Sequence, residues 1–143
     1  MSTIHASAVL VGPKAVLIRG AAGAGKSQLV WDLLQSALPF TRLVADDRAH
    51  IEACAGRLLV RPAPALAGLV EIRGLGIRRL PHEAVAAVGL VVDLAAADAD
   101  RYPAPEAETT TIEGVGLPRV KVATGAAALP QVLAFLTTVP SGN

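Results

Sequence analysis

Short apolar runs alternate along the chain with breaks carrying glycine, proline or a carboxylate, and the first two runs set the pattern. Ile4 to Val11 reads as a strand, Gly12-Pro13-Lys14 as a tight turn and Ala15 to Arg19 as a second strand, so a hairpin opens the chain. Past Ser27 the period changes. Leu29, Val30, Leu33, Leu34, Ala37 and Leu38 share one face of a helix that Pro39 ends, and Trp31 lies beside that face as partly buried packing. Thr41 to Ala45 returns to a strand pattern and runs into Asp46-Asp47. Ile51 to Cys54 and Arg57 to Arg61 flank Ala55-Gly56 as a second hairpin, after which Pro62 and Pro64 punctuate a loop. Leu69 to Ile77 reads as a strand on which Glu71 and Arg73, two residues apart, share a face; by spacing alone they would be an ordinary ion pair. Pro81 to Val88 predicts a short helix, followed by the strand Leu90-Val91-Val92 and then Asp93. Asp98 to Glu108 is a polar loop containing Arg101 and Tyr102. Arg119 to Ala123 is another strand, and Ala126 to Thr137 a terminal helix whose start Pro130 delays.

Composition narrows this to an α/β domain. Hydrophobic residues make up 52% of the 143 positions and aromatics only 3%, so the core is built from Ala, Val, Leu and Ile, as buried strands flanked by helices usually are. That length suffices for one domain, residues 1–143, with no need of disulfides or a structural metal. The formal net charge is +1 with the basic residues scattered, which argues against a nucleic-acid partner. Cys54 is the single cysteine, which excludes an intramolecular disulfide and a Cys-based metal site; it is expected to be a small buried hydrophobe. The longest charge-free apolar run, Ala84 to Val92, falls far short of the ~20 residues of a membrane-spanning helix. With no cationic segment leading an apolar stretch at the N-terminus, a soluble, cytoplasmic protein without membrane contact is expected.

The chemistry concentrates in Gly20-Ala21-Ala22-Gly23-Ala24-Gly25-Lys26-Ser27, a complete G-x-x-x-x-G-K-[ST] phosphate-binding loop between a strand-like run and a helical segment. Its glycines let backbone N–H groups approach a polyphosphate, and the helix N-terminus adds positive potential. Lys26 would reach the β- and γ-phosphates and the Ser27 hydroxyl would ligate Mg2+. A strand ending on a carboxylate within reach of such a loop supplies a ligand for the metal or a catalytic base. On a regular strand only one of Asp46 and Asp47 can face the phosphates, and the sequence does not say which. Asp93 ends an apolar strand in the same way and is a rival.

Four separated features, His5, the phosphate-binding loop, Val44-Ala45-Asp46-Asp47-Arg48 and Glu71-Ile72-Arg73-Gly74-Leu75-Gly76-Ile77, occur in the order seen in the HPr kinase/phosphorylase family, and the chain resembles that family from roughly Ile4 to Lys121. The resemblance implies a single P-loop kinase domain with a mixed, largely antiparallel sheet. It implies an ATP- and Mg2+-dependent serine kinase acting on an HPr-like phosphocarrier protein, with the reverse phosphorolysis, which forms pyrophosphate, as a further direction in many members. By the same resemblance His5 would sit beside the phosphates, Lys26 would stabilise transferring charge, and Ser27 with Glu71 would hold Mg2+. The Asp46-Asp47 pair would supply the base, and Arg101 would match the family's catalytic arginine. A homo-oligomer, a hexamer in that family, is the implied assembly.

The chain also departs from the family. With the hairpin beginning at Ile4, no separate N-terminal domain and a shortened C-terminal helical region are expected, and Arg78-Arg79-Leu80-Pro81-His82 stands where the family carries a glycine-rich F-G-x-G-A stretch soon after its signature segment, here Glu71 to Ile77. Two alternatives stay open: a P-loop kinase or ATPase with another acceptor, and an ATP-sensing module without turnover. A GTPase is disfavoured by the lack of an N-K-x-D or T-K-x-D motif.

Overall fold

The computed structural model of the protein describes residues 1–104 and 108–141. Its strands are β1 (Ser2–Ile4), β2 (Ala6–Val11), β3 (Lys14–Arg19), β4 (Thr41–Ala45), β5 (Ala49–Cys54), β6 (Arg57–Pro62), β7 (Leu69–Ile72), β8 (Gly76–Arg79), β9 (Ala86–Asp93), β10 (Thr109–Ile112) and β11 (Val115–Lys121). The helices are α1 (Lys26–Leu34) and α2 (Ala128–Thr137). Among the described residues nine strands form one mixed sheet, with the path β1-β5-β6-β9-β3-β2-β4, while β7 and β8 form a separate two-stranded ribbon. Only the β3–β9 and β9–β11 pairs are parallel; the others are antiparallel, as the sequence reading expects.

The eight-residue β9 is the spine of the sheet. Its first residues pair with β6, its last three with β11, and its other edge with β3. Strand alternation in β3 sends Ala15 and Leu17 to one face and Val16 and Ile18 to the other. The first pair joins Ala6, Ala8, Leu58 and Val60 in one apolar cluster, and the second meets Leu29, Val30 and Leu33 of α1 and Val132 of α2 in another. Burying each Leu or Ile there contributes roughly 1.5–3 kcal/mol, so the aliphatic composition is sufficient for a two-sided core.

Several expected boundaries move. Ile4 lies in β1, which pairs with β5, and a bend at His5 separates it from β2. Helix α1 stops at Leu34, where Ser36 Oγ donates to the Leu33 carbonyl at 2.7 Å, so Ala37 and Leu38 lie beyond it. The helix expected over Pro81 to Val88 does not form. Its second half is the start of β9, held by the pairs Leu59↔Ala87, Val60↔Ala86 and Ala15↔Val88. The strand expected over Leu69 to Ile77 is instead the β7–β8 hairpin, turning at Arg73-Gly74-Leu75. Thr109–Ile112 and Val115–Lys121 form a hairpin where only the second half of one strand is expected. The expected loop over 98–108 lies partly outside the described residues. Cys54 is exposed, contrary to expectation, because it sits at the tip of the β5–β6 hairpin.

The ribbon is tied down at its base. Leu80 N donates to Gly68 O at 2.7 Å, and a Cβ on Gly68, whose φ is +79°, would stand 2.9 Å from His82 Nδ1. Only glycine permits that closure without strain, and the closure fixes where Glu71 comes to lie.

Candidate active site

Strands β3 and β4 both run antiparallel to β2, so their C-terminal ends emerge on the same edge of the sheet. This brings the loop 20–27, which follows β3, beside Asp46-Asp47, which follows β4. The β7–β8 ribbon closes the third side, with Val70 buried against the α1 cluster. A cavity of about 790 Å³ lies between these elements, lined by Lys26, Ser27, Asp46, Asp47, Glu71 and Arg73 among others. On the other side of the same loop a second cavity, about 700 Å³, is walled by Leu94, residues 122–127 and the start of α2.

Gly25 is the N-cap of α1 and offers no side-chain cap, and no acidic residue lies in the first turn. The helix therefore presents unpaired N–H groups and positive potential to the cavities, an arrangement that suits a phosphate group. Lys26 is buried, and its Nζ donates to the carbonyls of Gly20 at 2.8 Å and Ala21 at 3.2 Å. The ammonium is thus held at the loop by bonds that a phosphate oxygen can replace.

Asp46 and Asp47 occupy different environments in one cavity. Asp46 is buried: Ser7 Oγ donates to Oδ1 at 2.8 Å, Ser27 Oγ lies 2.9 and 2.8 Å from Oδ1 and Oδ2, and the Glu71 N–H reaches Oδ2 at 3.4 Å. Asp47 is exposed, and its own N–H donates to Ser7 Oγ at 2.9 Å. The regular strand on which only one aspartate could face the loop does not extend to this pair. Strand β4 ends at Ala45 and Asp47 turns to φ +67°, so strand alternation no longer applies and both line the cavity.

Glu71 also lines this cavity and is exposed. Arg73 sits in the ribbon's turn rather than on a strand with Glu71, and no ion pair joins the two among the described residues. His5 precedes Ala6, whose partner Arg19 directly precedes Gly20, so the bend sets His5 at the start of the loop, exposed and outside the lining of either cavity. Arg101 is exposed on the segment after β9, its guanidinium 5.4 Å from the Tyr102 ring centroid, and lines neither cavity. Ser7 is the residue that sequence reasoning misses. Its one signal is a hydroxyl inside the buried run Ala6-Ser7-Ala8-Val9, and only the fold shows that it bridges the two aspartates.

Asp93 is removed as a rival by its partners. It reaches the same sheet edge on the far side of β3, where Arg19 Nε and Nη2 donate to it at 2.7 and 2.9 Å and Arg119 Nε also binds it; Arg119 in turn holds Asp98. Burial raises the Asp93 carboxyl, but the hydrogen bonds and charges of Arg19 and Arg119 outweigh it and leave the pKa below the ordinary 3.8. A carboxyl depressed in the folded state contributes stability that is full above its ordinary pKa and fades as pH falls toward the native value. Asp93→Asn is accordingly expected to lower unfolding free energy by about 2–4 kcal/mol at pH 7. That difference should shrink below pH 4, which urea unfolding across pH 3–7 would measure.

Among the described residues no cluster of three or more His, Cys, Asp or Glu side chains is placed to hold a metal alone. The Ser27 hydroxyl with the Asp46 carboxylate is nonetheless a hard-oxygen pair. It fits Mg2+, which takes one or two protein oxygens and fills its shell with water and substrate phosphates.

A family model described as HPr Serine kinase C-terminal domain matches residues 1–128. An HPr kinase/phosphorylase from Exiguobacterium sp. is 41% identical over 78 residues, 54% of this chain and 24% of that protein. One from Clostridium tetani is 36% identical over 78 residues, 54% of this chain and 25% of that protein. The matched segment thus spans about a quarter of each relative's length. The solved structure of the Hpr(Ser) kinase/phosphatase from Coxiella burnetii is similar with a TM-score of 0.73 at 25% identity, covering 95% of this chain and 93% of that one.

Proposed function

Because the chain belongs to the HPr serine kinase C-terminal domain family, we propose that it transfers the γ-phosphoryl group of ATP to a serine of an HPr-like phosphocarrier protein. The observation that carries this reading is the division of labour between two adjacent carboxylates: Asp46 buried on Ser27, Asp47 exposed beside it in the same cavity. The triphosphate lies against the uncapped N-terminus of α1, with the loop's N–H groups on its oxygens. Lys26 leaves the Gly20 and Ala21 carbonyls to meet the β- and γ-phosphate oxygens, where negative charge grows during transfer. Ser27, Asp46 and Glu71 are the residues that would hold Mg2+, which would supply neutralisation of phosphate charge there.

Asp47, exposed toward the approaching acceptor, takes the proton as the serine oxygen forms its bond to phosphorus. The bond from phosphorus to the bridging oxygen breaks and ADP departs. Asp46 is assigned the other part, since its oxygens are turned to Ser7, Ser27 and the Glu71 N–H rather than to the open side of the cavity. His5, beside the start of the loop, and Arg101 both lie outside the lining of the cavities, and neither is given a step in this scheme. The relatives' names join the kinase to a phosphorylase or phosphatase. In that direction an oxygen of inorganic phosphate bonds to the phosphorus of the phosphoserine, the bond from phosphorus to the serine oxygen breaks, Asp47 gives that oxygen a proton, and pyrophosphate departs.

The test is transfer of labelled γ-phosphate from ATP to a purified HPr-like carrier. We expect Mg2+-dependent label on a carrier serine. A chain that binds Mg2+–ATP yet labels no carrier would redirect the site to another acceptor or to nucleotide sensing.

A further inference from the structure

From the exposed side of the β7–β8 ribbon we infer that it is the docking platform for the acceptor protein, seating Leu75 and Ile77 against apolar residues and setting Arg73, Arg78 and Arg79 on carboxylates that flank the acceptor serine. This rests on the kinase reading of the adjacent cavity and adds a surface to it. Residues 73–79 are exposed without interruption, and Leu75 and Ile77 keep 65% and 63% of their surface in solvent. In a protein whose other large side chains are mostly buried, two adjacent aliphatic residues on a tip are a cost unless something covers them. The tip is a closed turn: the Leu75 N–H bonds to the Ile72 carbonyl at 2.9 Å, and Gly74 and Gly76 flank it at φ +86° and +94°.

Charge identifies the occupant. Among the described residues Arg19, Arg42, Arg61 and Arg119 each form an ion pair and Arg48, Arg57, Arg73, Arg78, Arg79 and Arg101 form none; the ribbon is where three of these unpaired arginines fall together, within residues 73–79. Three unneutralised guanidiniums on one exposed tip, Arg79 on the face of Ile77 and Arg78 on the other by strand alternation, suit a partner that carries acidic groups beside apolar ones. Position then selects the acceptor over other partners. The register Glu71↔Ile77 puts Ile77 across from Glu71 on the face that lines the cavity, so the ribbon forms part of its rim. Any protein offering a hydroxyl to Asp47 passes over that rim.

The test is titration of an HPr-like carrier into the full chain loaded with a non-hydrolysable ATP analogue and Mg2+. Wild type is compared with Leu75→Ser and with Arg78→Ser/Arg79→Ser, residues outside the cavity lining, after unchanged nucleotide affinity and unfolding midpoint have been established for each. The carrier Kd should rise at least tenfold in both variants, and the double variant should lose most of the salt dependence seen with wild type. Equal carrier affinity in wild type and variants overturns the inference, as does the absence of carrier binding to wild type. Loss of self-association with carrier affinity intact also overturns it and assigns the ribbon to a second copy of the chain. A carrier that binds through the ribbon but receives no phosphoryl group refutes the kinase reading alone. One phosphorylated by both variants with unchanged KM refutes the docking alone.

Discussion

Replacing Lys26 with methionine is expected to slow phosphoryl transfer by about 10³-fold while leaving the fold intact. Methionine keeps the length and the buried contacts of the stem, so the change isolates the ammonium. In the structure that ammonium is bound to the carbonyls of Gly20 and Ala21, within the loop 20–27. Without it, charge spreading over the γ-phosphoryl oxygens loses its one mobile cationic partner in the loop. The reduction should appear mainly in kcat, because the backbone N–H groups at the start of α1 still bind the triphosphate of the ground state. A variant with less than tenfold loss would place the transferring group elsewhere.

The two aspartates should separate just as sharply. Asp47→Asn removes an exposed carboxylate with no side-chain bond of its own among those described, so unfolding and Mg2+–ATP affinity should hardly change. Transfer should fall by about 10²–10⁴-fold, the range for loss of a general base. Asp46→Asn acts differently. An amide nitrogen cannot accept the hydrogen bonds that the carboxylate takes from Ser7, Ser27 and the Glu71 N–H. Stability should drop by about 1–3 kcal/mol, and the Mg2+ concentration needed for half-maximal rate should rise. Steady-state kinetics at several Mg2+ concentrations, with urea unfolding of both variants, distinguishes these patterns. Reversal of the two would make Asp46 the base.

Much of this site is legible in the sequence because its parts are local. The phosphate-binding loop is a contiguous motif, the β2–β3 hairpin before it has a glycine-containing turn, and Asp46-Asp47 closes an apolar strand. What decides their use is not local. The bridging hydroxyl of Ser7 is 39 residues from Asp46 and shows itself only when β2 pairs with β4. The choice between Asp46 and Asp47 depends on a φ of +67° that no residue pattern around Asp47 specifies.

The misread elements have equally specific causes. Ala84 to Val88 is an unbroken apolar, alanine-containing run, which helix and buried strand share, and pairing with β6 and β3 decides for strand. Pro118 discourages extending a strand back through it, yet it sits opposite Thr109 inside the β10–β11 hairpin. In the signature stretch the alternation of Leu69 to Ile77 hides a turn, because Gly74 and Gly76 are interleaved with residues that suit a strand.

The central claim, that this cavity passes the γ-phosphoryl group to a protein serine, is tested most directly in a single turnover. Chain in excess over γ-labelled ATP is mixed with Mg2+ and an HPr-like carrier, quenched, and the carrier mapped by mass spectrometry while ADP and free phosphate are counted. The account predicts one phosphoserine for each ADP formed, little free phosphate, and no carrier label with Lys26→Met. ADP appearing with all of the label in free phosphate and the carrier unmodified would contradict it.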